Sequence, residues 1–239
     1  MDIVYILGTG SVWQNNEIRY SLRSVEKNIS DLGNVFIVGE KPDWIQNVFY
    51  LPHPDSHSEK WKNGFFKIRR ACLEEKISNT FLLMNDDFFI IKKIEAESYP
   101  YYYNGLLSYS EKLHSKKFQT TRAMTAETLG YNNRGLLNFS IHRPFKYNKE
   151  MFYHLPGIPL HLKGFSVRSF YANYYNVPAV PSKDPLISPL RSGKDFERIV
   201  SGYSDFSIFS STARSPAFHN WIRSLFPDPS SFEKKEGQD

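Results

Sequence analysis

The sequence predicts an α/β fold with a mostly parallel central sheet. Short apolar runs are each closed by glycine or proline, and two stretches between them repeat apolar residues at helical spacing. A longer apolar run, Phe81 to Ile90, is interrupted by Asn85-Asp86-Asp87. That run reads as a buried strand carrying two adjacent carboxylates, which a buried strand holds only if a cation or an open site compensates them.

Ile3 to Leu7 is the first strand, ending in the turn Gly8-Thr9-Gly10-Ser11. From about Glu17 to Asn28 a helix is expected, with Ile18, Leu22, Val25 and Ile29 on one face and a stop near Ser30-Asp31-Leu32-Gly33. Val35 to Val38, closed by Gly39, and Val48 to Leu51, closed by Pro52, are the second and third strands. A helix from about Lys60 to Lys76 leads into the Phe81 strand. The β-α-β-β-α-β order requires crossover connections, hence parallel neighbours with helices on both faces. Ligands of such sheets bind outside the carboxyl ends of the strands, where Asp86 and Asp87 stand. The second half is less regular, with an aromatic cluster at Tyr99 to Tyr103 and helices expected near 148–155 and 162–175. The chain therefore reads as one catalytic domain over 1–232, with a nucleotide-binding half (1–110), an acceptor-side half (111–232) and a solvated, disordered tail at 233–239.

With 239 residues, 41% hydrophobic and 16% aromatic, the chain has ample material for a packed core. Its 30 basic and 25 acidic side chains give a net charge of +5, which suits phosphate-bearing ligands but lacks the clustered basic stripe of a nucleic-acid binder. No nucleic-acid partner is expected. The single cysteine, Cys72, excludes an intrachain disulfide or a thiolate cluster and points to a reducing compartment. Asp2 and the short run to Leu7 resemble neither a secretory signal nor a membrane span. A cytoplasmic location is expected, with peripheral contact at the inner membrane left open by the basic and aromatic surface.

Asp86 and Asp87 are the candidate metal ligands, and hard carboxylate oxygens select Mg²⁺ or Mn²⁺. The alternative is a turn in which one acid caps the backbone. Gly8, Thr9 and Gly10 form a candidate phosphate turn or simply a tight turn. Arg19 and Arg23, four apart on a helix, present two guanidinium forks either to a phosphate or to ion pairs such as Arg23 with Glu26. Asn63, Lys67 and Arg70 repeat that theme on the second helix, offered to a pyrophosphate or to solvent. His142, in Asn138-Phe139-Ser140-Ile141-His142-Arg143-Pro144, stands at a strand-to-loop junction as a candidate base or a structural histidine.

These segments resemble, in order, the blocks of the Stealth family of capsule-polymer phosphotransferases. Asp2-Ile3-Val4-Tyr5 with the Gly8 to Ser11 turn resembles its first block. The second is carried by Asn16-Glu17-Ile18-Arg19-Tyr20-Ser21-Leu22-Arg23-Ser24-Val25-Glu26-Lys27, Val35 to Val38, Pro42-Asp43-Trp44-Ile45 and the run into Asn85-Asp86-Asp87. His142-Arg143-Pro144 with Lys149-Glu150 resembles the third, and Leu225-Phe226-Pro227-Asp228-Pro229-Ser230-Ser231-Phe232-Glu233 the closing motif. The chain lacks the family glutamate before Asn-Asp-Asp, and only Tyr203-Ser204-Asp205-Phe206 stands near the fourth block.

The resemblance implies a glycosyltransferase A-like nucleotide-binding sandwich acting in surface polysaccharide biosynthesis. It further implies transfer of sugar-1-phosphate from a nucleotide-sugar, expected to be uridine-diphosphate-linked, onto an oligosaccharide or polysaccharide acceptor. On that reading His142, Asp87 and Arg168 are catalytic and Asp86 and Asp87 hold the metal. Gly8, Thr9, Gly10, Glu17, Arg19, Arg23, Asn63 and Lys67 bind the donor. Two rivals remain open: a metal-dependent glycosyltransferase releasing nucleoside diphosphate, and a non-catalytic sugar-binding subunit.

Overall fold

The structure, a computed structural model, describes residues 1–107, 116–130 and 136–234. β1 (Asp2–Leu7) leads through α1 (Asn16–Asn28) to β2 (Val35–Gly39), a loop joins β2 to β3 (Phe49–Pro52), and α2 (Lys60–Cys72) precedes β4 (Thr80–Met84). Next come β5 (Phe88–Ile90), β6 (Tyr101–Tyr103), α3 (Lys116–Thr128), β7 (Phe145–Asn148), α4 (Lys149–Tyr153) and α5 (Val167–Tyr174). The chain closes with β8 (Ala179–Pro181), β9 (Leu186–Ile187), α6 (Gly193–Val200), β10 (Asp205–Ile208), α7 (Ser210–Ala213) and α8 (Pro216–Leu225). The main sheet has five strands in the order β3-β2-β1-β4-β7, with the first four parallel and β7 antiparallel to β4. This is a mixed α/β architecture with a mostly parallel central sheet.

Strand alternation sorts the core into two layers. Ile3, Tyr5 and Leu7 pack with Ile37 and Leu82 against Ile18, Leu22 and Val25 of α1. Val4, Phe36, Val38, Phe81 and Leu83 face the other way, onto Phe65, Ile68 and Ala71 of α2. Each large side chain so buried contributes about 1.5–3 kcal/mol. At the end of β2 the backbone of Gly39 has φ +124, and a Cβ there would lie 1.9 Å from the Leu7 carbonyl oxygen, so only glycine fits.

The run Phe81 to Ile90 is two strands rather than the single one expected. β4 belongs to the central sheet, whereas β5 pairs antiparallel with β10 in a second sheet of three strands, β5-β10-β9. Asn85-Asp86-Asp87 is the turn between them, where the Asn85 carbonyl accepts the Phe88 N–H at 3.3 Å. Two adjacent carboxylates cannot continue inside an apolar layer, so the chain changes sheets at that point and leaves them at the carboxyl end of β4. β10 and α8 carry a third core around Phe89, Phe196, Phe206, Phe218 and Trp221.

A solvated tail beginning at Glu233 is also corrected. Glu233 is buried, its residue forms a bridge with Ile45, and the Lys234 N–H donates to the Trp44 carbonyl. Residues 235–239 of the expected tail lie outside the described residues. Among the described residues no helix is long and apolar enough to cross a membrane.

Candidate functional site

A cleft of about 430 Å³ opens at the carboxyl ends of β1 and β4, and most of the expected donor-binding residues line it. Gly8, Thr9 and Gly10 form its exposed rim after β1. A Cβ at Gly8 would stand 2.8 Å from Asp55 Oδ2, so the glycine lets the rim close on the loop after β3. Glu17 is buried and fixes the turn: its carboxylate accepts the Ser11 hydroxyl at 2.7 Å and the N–H groups of Val12 and Trp13 at 3.1 Å each. From α2, Lys67 is 3% exposed and donates to the Leu7 carbonyl and to Asp55. Asn63 lines the same cleft, but its amide accepts from the N–H groups of Ser56 and His57 and donates to the His57 carbonyl. It anchors that loop and has little capacity left for a ligand.

Asp86 and Asp87 form part of the cleft lining. Burial, then the neighbouring charges of Asp87 and Glu17, push the Asp86 carboxyl up to about 7. Asp87 is also raised, chiefly by burial, with His142 and the Ser207 hydroxyl acting in the opposite sense. Ser207 Oγ donates to Asp87 Oδ2 at 3.1 Å, while Asp87 Oδ1 is buried with no hydrogen-bond partner.

A second cleft of about 390 Å³ adjoins the first, sharing Ile6, Lys60, Gly64 and Asn85. His142 and Arg168 line it. Asp184 grips His142 through the backbone N–H at 2.9 Å and through Nδ1 at 2.8 Å. Arg168 donates to the carbonyls of Ile141 at 3.1 Å and Arg143 at 2.7 Å, bracing the segment that carries His142. Imidazole and carboxylates therefore flank one continuous depression.

Arg19 and Arg23 are not there. Arg23 makes a bidentate pair with Glu233, both bonds 2.7 Å, and donates to the Phe226 carbonyl at 2.9 Å. Arg19 approaches the same carboxylate at 3.5 Å and lies over the Trp44 ring at 4.4 Å. The face of α1 that bears them packs on the C-terminal segment, so their expected donor-binding role is corrected to an anchoring one. Arg70 likewise leaves the cleft and pairs with Glu74 at 3.2 Å.

No protein-family model matches the chain. It is similar to the capsular polysaccharide phosphotransferase cps12A of Actinobacillus pleuropneumoniae, 29% identical over 114 residues. The similarity takes in 43% of this chain and 30% of that protein.

Among the described residues, no group of three or more His, Cys, Asp or Glu side chains is arranged to hold a divalent cation. Asp86 and Asp87 nonetheless fit a Mg²⁺ or Mn²⁺ ion of the kind that takes one or two carboxylates and completes its shell with substrate phosphates and water. The unpartnered Asp87 Oδ1 and the mutual repulsion of the two acids are what such an ion relieves.

Several site residues escaped the sequence reading. Asp184 sits 42 positions from His142, with no motif around it. Asp55, Lys60 and Phe209 reach the clefts from loops or element ends, and Ser207, buried inside β10, bonds Asp87 from below. In the sequence Asp205 stands only near the fourth block. It is fully buried, accepts from Tyr99 at 2.9 Å and Ser204 at 2.7 Å, and faces Arg143 Nε at 3.3 Å. That ion pair ties the His142 segment to β10.

Proposed function

We propose that this protein transfers sugar-1-phosphate from a nucleotide-sugar to a hydroxyl of a surface polysaccharide. The donor occupies the first cleft and the acceptor enters by the second. The observation that carries the reading is the shared wall of the two clefts: Asn85 lines both, with Asp87 on one side and the His142–Asp184 pair on the other. The ordered sequence blocks, the mostly parallel sheet and the partial similarity to a capsular polysaccharide phosphotransferase support a Stealth-type enzyme on a glycosyltransferase A-like fold.

His142, held through Nδ1 by Asp184, offers Nε2 to the acceptor hydroxyl and takes its proton. The freed oxygen attacks the phosphorus that bears the sugar. The P–O bond to the rest of the nucleotide breaks, and nucleoside monophosphate departs. Lys60 and Lys67 provide positive charge beside the donor phosphates, and Phe209, exposed on the cleft lining, offers a face for the base. A Mg²⁺ or Mn²⁺ ion on Asp86 and Asp87 would supply neutralisation of phosphate charge.

The test incubates the protein with a uridine-diphosphate sugar, Mn²⁺ and capsule oligosaccharides, and identifies the released nucleotide. Nucleoside monophosphate is expected. Nucleoside diphosphate alone moves the attack to the anomeric carbon and makes the protein a glycosyltransferase. Absence of turnover, with nucleotide binding that needs neither metal nor Asp87, makes it a sugar-binding subunit.

A further inference from the structure

The buried polar atoms without partners fall into a pattern. Seven side-chain atoms among the described residues are buried and unbonded: Arg19 Nε, Trp61 Nε1, Asp87 Oδ1, Arg122 Nε, Arg143 Nε, Tyr147 Oη and Asp205 Oδ1. Arg19 has the Glu233 charge beside it, and Arg143 and Asp205 have each other. The remaining four all line the two clefts. Asp87 Oδ1 belongs to the first, and Trp61, Arg122 and Tyr147 all line the second.

Leaving a buried donor unsatisfied costs about 1–3 kcal/mol, so three in one cleft mark a surface built for something that bonds them. The cleft has a definite polarity. Trp61, half-buried, packs against Phe165 with ring centroids 5.6 Å apart, which gives an apolar face suited to the C–H side of a sugar ring, and Tyr147 lies beneath it, fully buried. The charged lining consists of Lys60, Arg122, Lys163 and Arg168, with Glu59 the one acid among the described residues. Glu59 is paired with Lys62 at 3.2 Å. Among the described residues no carboxylate forms an ion pair with any of those four cations.

We infer that the second cleft is a subsite for an anionic sugar, and that Arg122 reads its negative group. This rests on the acceptor assignment made above and specifies its chemistry: the acceptor residue carries a phosphodiester or a carboxylate. Arg122 supplies a charge-assisted bond from Nε to that group, and Tyr147 Oη and Trp61 Nε1 donate to oxygens of the ring that stacks on the aromatic face. Anion recognition by Arg122 makes it a specificity-determining residue, because a neutral sugar leaves its buried Nε–H unpaired.

The test is direct binding of short oligosaccharides to the whole protein, without donor, followed by calorimetry at low and at moderate salt. Three matched probes are used: neutral, uronate-bearing and phosphodiester-linked. At least one anionic probe is expected to bind about tenfold tighter than the neutral one, the value of one charge-assisted bond, and which of the two does so identifies the anion. Arg122→Gln is expected to erase the preference and Arg122→Lys to keep part of it. Equal binding of all three probes overturns the inference, as does a preference that survives Arg122→Gln with its thermal midpoint intact. If Arg122→Gln does not fold, the wild-type preference and the Arg122→Lys variant decide. Nucleoside monophosphate release without any anionic preference overturns this subsite alone, whereas an anionic preference without nucleotide release overturns the transfer reading and leaves the subsite standing.

Discussion

Asp184 holds His142 at two points, accepting its backbone N–H at 2.9 Å and facing its Nδ1 at 2.8 Å. The double contact fixes both the position and the orientation of the ring. With Nδ1 engaged, Nε2 is the nitrogen left for a substrate.

If the pair acts as one unit, its effects do not add. His142→Ala is expected to lower nucleotide release by about 10²–10⁴, the usual contribution of a positioned base. Asp184→Asn should cost less, and the double variant should be little slower than His142→Ala. Single-turnover rates for the three variants check this. Fully multiplicative losses would separate the two residues.

Asp86 and Asp87 crowd like charges at the strand end, a repulsion that costs the protein stability and that a cation on the two carboxylates would relieve. Asp86→Asn is expected to raise the metal-free thermal midpoint by about 2–4 °C, corresponding to about 1 kcal/mol for a chain of this size. The same substitution should abolish the further rise produced by Mn²⁺ with a uridine nucleotide. Scanning calorimetry with and without the ion distinguishes the outcomes, and a midpoint that falls would contradict the repulsion argument.

Phe209 is 44% exposed although it lines the first cleft. Stacking of a base on an aromatic ring is worth about 1–3 kcal/mol. Phe209→Ala should therefore weaken nucleotide binding about tenfold or more while leaving the fold intact, because little of the ring is packed. A titration of uridine diphosphate into both proteins measures it, and unchanged affinity would remove Phe209 from the donor site.

The Arg23–Glu233 pair gives a stability prediction with a defined pH window. Burial pushes the Glu233 carboxyl up, but the bonds from Arg23 and the Ser230 N–H, with the Arg19 charge, outweigh it and hold the group below its ordinary value of 4.5. A lowered carboxyl stabilises the folded state fully above the unfolded value and loses that contribution as pH falls through the folded one. Glu233→Gln should cost about 2 kcal/mol at pH 7, between the values for exposed and deeply buried pairs. The gap from the wild type should narrow below pH 4.5. Urea unfolding at several pH values tests this, and nucleotide affinity should stay unchanged because neither residue lines the clefts.

Local pattern in the sequence was enough for the first half of the fold. Ile3, Tyr5 and Leu7 alternate with Val4, and Ile18, Leu22 and Val25 recur at helical spacing, so strand, helix and the two faces of the sheet follow from side-chain period alone. The same local pattern placed Asp86, Asp87 and the Gly8 turn at strand ends, where open parallel sheets take ligands. Tertiary structure decided which polar residues turn toward that opening. Arg19 and Arg23 looked equivalent to Lys67 in charge and spacing, yet the C-terminal segment claims them through Glu233, 210 residues away from Arg23. Asp184, Arg122 and the switch of β5 to a second sheet were equally silent in the sequence. Helical or strand period says which side of an element is apolar, whereas the partner of a charge is set by chain segments that meet only after folding.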